Sequence, residues 1–92
     1  MKTVLVVDDS AFYREIVRDT LEKECGVQVI EAPNGSIALN ILADQKPSID
    51  VAILDMMMMG HGGTVREYLL KTPQYKNTQI LYYTGLDPNQ ID

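Results

Sequence analysis

Four short runs rich in valine, isoleucine and leucine divide the chain, at residues 3–7, 27–32, 51–54 and 79–84. The first and third are almost uninterrupted apolar stretches, which predicts strands buried on both faces, as in a parallel sheet layered by helices. Between the runs the apolar period lengthens to that of a helix. Tyr13, Val17 and Leu21 share a stripe with Phe12 and Ile16 beside it. Ile37 with Ile41 and Ala38 with Leu42 repeat every four residues, and Val65, Tyr68, Leu69 and Thr72 share a third face.

The punctuation agrees with these periods. Ser10 is placed to cap the first helix and Gly26 to end it. Asn34-Gly35 signals a turn before the second helix, Pro47 closes the segment after it, and Pro73 halts the third. Asp87-Pro88 has the form of a cap followed by proline at a first helical position, so a fourth helix is expected to begin near residue 87. Strand and helix alternate as βαβαβαβ, which predicts an α/β fold with a parallel sheet and right-handed crossovers.

Bulk properties narrow the function. A chain of 92 residues holds one domain. Its net charge of -5 and scattered basic residues argue against a nucleic-acid surface. A single cysteine, Cys25, excludes an internal disulfide and a cysteine-based zinc site, and points to a reducing compartment and a buried structural role. The first apolar run is cut short by Asp8 and Asp9, too soon for a signal-peptide core, and no run reaches the roughly 20 apolar residues of a membrane span. The expectation is a cytoplasmic domain without membrane contact.

Functional side chains of open parallel sheets gather at the carboxyl ends of the strands. Asp8 and Asp9 follow the first run, Asp55 follows the third, and Thr84 ends the fourth. Adjacent first and third strands would bring the three acids together, where they repel unless a cation intervenes. Mg²⁺ suits such a site, because it takes few protein oxygens and also accepts phosphate oxygens. One carboxylate could then serve as nucleophile and Thr84 as hydroxyl donor to a phosphoryl group.

These residues carry a family resemblance across the whole chain. VLVVDDS at 4–10, EAPNGSIAL at 31–39, VAILDMMMMGHGG at 51–63 and ILYYTG at 80–85 resemble the response-regulator receiver family of two-component signalling. The resemblance implies a flavodoxin-like doubly wound sheet of order 2-1-3-4, with the family's fifth strand absent from residues 1–92. It implies Asp55 as phosphoacceptor, and Mg²⁺ on Asp8, Asp9, Asp55 and the backbone carbonyl of Met57. Thr84 is implied as the residue that bonds the phosphate and drives the switch, and a sensor histidine kinase or phosphotransfer protein as donor. It implies no turnover of a separate substrate. Met59 stands where the family usually has proline, Gly85 where alanine is commoner, and no lysine follows Lys76. These departures keep open a degenerate receiver that binds partners without phosphorylation. A haloacid-dehalogenase-type hydrolase also uses an aspartyl-phosphate, but its D-x-D pattern differs from the adjacent acids here. Without a fifth strand, residues 79–84 would form an apolar edge open to self-association.

Several further residues attract attention. Met56, Met57, Met58 and Met59 read as loop packing, with Met57 and Leu86 placed to restrict an attacking water. His61 reads as a solvated loop residue in a glycine-rich segment, and Tyr82 and Tyr83 as packing on opposite faces of the fourth strand.

Overall fold

The computed structural model describes residues 2–55 and 61–83. Four strands, β1 (Thr3–Val7), β2 (Gln28–Ala32), β3 (Val51–Asp55) and β4 (Gln79–Tyr83), alternate with helices α1 (Ala11–Cys25), α2 (Gly35–Asn40) and α3 (His61–Lys71). The sheet is wholly parallel, in the order β2-β1-β3-β4. The expected order 2-1-3-4 is thus observed. The expected fourth helix, and with it Asp87 and Pro88, lies outside the described residues.

The punctuation acts at the anticipated positions. The Ser10 hydroxyl accepts the Tyr13 amide, and Gly26 closes α1 with φ of 64°, in the left-handed region. Asn34 does more than turn the chain, since its side-chain oxygen accepts the Ile37 amide at 2.9 Å and caps α2. The α2 ladder then widens into a π-helical turn over Ile41–Gln45, and Lys46 leaves it at φ of 49°. A left-handed lysine costs about 1 kcal/mol, and here its carbonyl is pinned by the Gln74 amide. Pro73 ends α3 by opening a 3-10 turn, Pro73–Tyr75.

The two faces of the sheet are covered unequally. On the α2 and α3 side, Leu5, Val7, Ala52 and Leu54 pack with Ala38, Leu42, Val65, Leu69 and Tyr75. Each fully buried leucine there contributes roughly 1.5–3 kcal/mol. On the other side α1 has no buried residue. Phe12 is 68% exposed, and Tyr13 and Ile16 are also exposed, as are Leu81 and Tyr82 on β4. The apolar stripe of α1 therefore has the predicted phase, with Val17 and Leu21 half-buried and Phe12, Tyr13 and Ile16 exposed. Cys25 is exposed, contrary to its buried reading, because it lies in the last turn of this uncovered helix. His61 lies at the start of α3 and not in a loop, since glycines in a first turn leave few helical bonds at risk.

Candidate functional site

Strand register decides where the acids go. Val7 pairs with Leu54 across β1 and β3, and Asp55 ends β3 opposite Tyr83. Asp8 is the next residue after β1 and stays in the sheet ladder, its amide donating to the Ala32 carbonyl at 3.1 Å. Both acids consequently reach the carboxyl edge side by side, and the tight turn into α1 adds Asp9. One carboxylate oxygen from each of Asp8, Asp9 and Asp55 lies within 4.8 Å of the others. Asp8 and Asp55 are buried, and Asp9 is exposed.

The crowding has an electrostatic signature. Burial raises the Asp8 carboxyl from 3.8 to about 6, and Asp55 adds to this as hydrogen-bond partner and as a like charge, with Asp9 contributing a further hydrogen bond. The Ser10 amide, 2.9 Å from Asp8 Oδ1, opposes the rise by stabilising the anion. A buried carboxyl raised to about 6 beside two other acids is the kind of perturbed group that gathers at functional edges. Three hard oxygen donors of this kind fit a divalent cation of the magnesium type, one that retains water ligands.

The structure brings the sequence-predicted Asp8, Asp9 and Asp55 together. Thr84 and Met57 lie outside the described residues, as do Met56, Met58, Met59, Gly85 and Leu86. Two neighbours of the site were not anticipated. Arg14 on α1 donates from Nη1 to the Asp8 carbonyl at 2.5 Å, and its Nε lies 3.4 Å from Glu31 Oε1 on β2. Arg18 Nη1 meets the other Glu31 oxygen at 2.7 Å. The signal was available only through register, because Glu31 pairs with Val6 and so points to the α1 side.

Comparisons with known proteins agree with this geometry. The family model described as response regulator receiver domain matches residues 4–91. A protein-glutamate methylesterase/protein-glutamine glutaminase of Desulfotalea psychrophila is 41% identical over 79 residues, which cover 85% of this chain and 21% of that protein. The chain thus spans about a fifth of the length of such curated relatives. The chemotaxis protein CheY4 of Vibrio cholerae superposes with a TM-score of 0.78 at 36% identity, covering 97% of this chain and 73% of that one. TrrA of Thermotoga maritima, in complex with Mg²⁺-BeF, gives 0.77 at 32% identity, covering 100% and 76%. TrrA is also known in complex with the histidine kinase ThkA. With an acidic trio at the carboxyl edge of a 2-1-3-4 parallel sheet, this chain belongs to the response regulator receiver domain family.

Proposed function

We propose that the chain accepts a phosphoryl group on Asp55, with Mg²⁺ held by Asp55, Asp9 and Asp8. The observation that carries this reading is the convergence of three carboxylate oxygens within 4.8 Å at the carboxyl edge of the sheet. Bound Mg²⁺ would supply charge neutralisation for the transferring group, as divalent ions do in phosphoryl transfer. Asp55 is the nucleophile: burial and the β3 backbone fix its carboxylate, and one oxygen attacks phosphorus as the bond to the donor nitrogen or oxygen breaks. Asp8 and Asp9 form the acidic face that would hold the ion, and a bound dication would favour the ionised form of the Asp8 carboxyl. The Met57 carbonyl as a further ligand and the Thr84 hydroxyl as the phosphate's hydrogen-bond donor and switch remain part of this proposal.

A phosphohistidine on a sensor kinase or phosphotransfer protein is the proposed donor, supported by TrrA's complex with a histidine kinase. The phosphate acts by favouring one of two conformations. The proposal includes no turnover of a separate substrate and a cytoplasmic location. Among the described residues no helix is long and apolar enough to cross a membrane. Self-association through β4 is proposed from its position at the end of the described sheet, with Leu81 and Tyr82 exposed.

The test is incubation with Mg²⁺ and acetyl phosphate, followed by intact mass. The wild type gains one phosphoryl group and Asp55→Asn gains none. A wild type that stays unmodified, and is equally silent toward beryllofluoride by NMR, would identify a degenerate receiver. Continuous phosphate release without a partner would identify a hydrolase.

A further inference from the structure

We propose that Arg14 is a positioning residue for the metal site, holding the turn that carries Asp8 and Asp9 against the end of β2. The inference rests on the reading of Asp8, Asp9 and Asp55 as Mg²⁺ ligands. Its basis is a chain of contacts that no other described side chain duplicates. Arg14 Nη1 donates to the carbonyl of Asp8 itself, while its amide donates to the Ser10 carbonyl at 3.0 Å. Nε faces Glu31 Oε1 at 3.4 Å, and the Arg14 side chain is only 15% exposed.

Glu31 is in turn one residue before Ala32, whose carbonyl takes the Asp8 amide. The residue that carries a ligand carboxylate is therefore fixed on both sides. Its amide is tied to β2 directly, and its carbonyl is tied to β2 through Arg14 and Glu31. With those two points set, Asp8 Oδ1 can meet the Ser10 amide at 2.9 Å and its carboxylate faces Asp55. A planar guanidinium suits this task, because its rigid fork lets Nη1 donate to the Asp8 carbonyl while Nε stays in ion-pair range of Glu31, whereas an ammonium on a flexible stem fixes no such geometry. Outer groups of this kind commonly set metal affinity by orienting the ligands.

Charge and position predict opposite signs, which makes the role testable. Arg14 is a cation close to the place where a dication binds, so a purely electrostatic role predicts tighter Mg²⁺ binding when the charge is removed. A positioning role predicts weaker binding. Mg²⁺ affinity is to be measured by calorimetric titration of wild type, Arg14→Gln, Arg14→Lys and Arg18→Gln, each with a metal-free melting curve. Arg18 shares Glu31 but does not touch the turn, so Arg18→Gln controls for loss of that ion pair.

The expected result is a Kd raised about 10-fold or more in both Arg14 variants, with Arg18→Gln close to wild type. The Ser10 amide should also move in the metal-free NMR spectrum of both Arg14 variants. Arg14→Lys keeps the charge, so it serves where Arg14→Gln fails to fold. Wild-type or tighter affinity in Arg14→Lys overturns the positioning role, and so does a loss matched by Arg18→Gln. A wild type that takes up no Mg²⁺ fails differently, because it removes the site reading and this inference with it.

Discussion

At the amino edge of the sheet, polar side chains are spent on backbone groups. Asp50 accepts the Thr3 amide at 2.8 Å, Thr78 Oγ1 donates to the Ile49 carbonyl at 2.6 Å, and Tyr75 Oη donates to the Pro47 carbonyl at 2.9 Å. At the carboxyl edge the same strands deliver Asp8 and Asp55 into a buried position where each carboxylate presses on the other. One edge satisfies its polar groups and so stabilises the fold. The other crowds carboxylates together, as the proposed cation site requires. Removing a polar atom should therefore cost stability at the first edge and add it at the second, which is the usual relation between a folding surface and a working one.

The largest expected effect comes from Asp8→Asn. The amide keeps an acceptor for the Ser10 N–H but loses the anion, so the metal-free chain at pH 7 should gain on the order of 2–3 kcal/mol by denaturant titration. With Mg²⁺ bound as proposed, the wild type should be stabilised by added Mg²⁺ and the same variant should not. A neutral or destabilising result in the metal-free chain would show that the crowding at this edge carries no energetic penalty.

A somewhat smaller change should appear in the wild type across pH alone. Folded Asp8 keeps its proton up to about pH 6, whereas the unfolded chain releases it near 3.8. Between these values the folded state binds more protons, so its stability falls as pH rises. The contribution is fully present below about 3.8 and gone above about 6. Asp8→Asn should flatten that part of the metal-free curve, and a wild-type profile that rises from pH 4 to 6 would contradict the assignment.

The amino edge gives the smallest effects, and they have the other sign. Tyr75→Phe removes the bond to the Pro47 carbonyl and should cost about 1 kcal/mol, with Mg²⁺ affinity unchanged. Gln74→Ala frees the Lys46 carbonyl at an exposed position and leaves the Pro47 carbonyl with the Tyr75 hydroxyl, and should cost less, about 0.5 kcal/mol. Weakened metal binding in either variant would mean that the two edges are coupled through β3 or β4.

The fold was largely legible because β1 and β3 are apolar on both faces and because Ser10, Gly26 and Asn34 punctuate the helices at their true ends. The acidic site was legible for a related reason, since parallel strands of equal length must end at one edge. What the sequence left open depended on coverage and register. A stripe such as Phe12, Tyr13 and Ile16 gives the phase of a helix, but nothing in its spacing says how much of it is buried. Arg14 and Glu31 lie far apart in sequence and look like ordinary surface charges until β2 is set beside β1. The π-helical turn before Lys46 left no trace in the four-residue repeat of Ile37 with Ile41 and Ala38 with Leu42, because that repeat ends where the ladder widens.

The strand order also has a consequence for the time course of folding. β1 lies between β2 and β3, so Asp8 meets Asp55 only after nearly half the chain has closed into a loop. The Thr3–Asp50 bond that marks this closure spans 47 residues. Local helix formation can precede that event, but no partial structure lacking the β1–β3 pairing contains the acidic trio. Mg²⁺ bound as proposed would therefore have little to grip in an early collapsed chain, and any stabilisation by it should reside mainly in slower unfolding. In kinetic terms, the ion would act as a latch on the finished sheet and not as a template for building it.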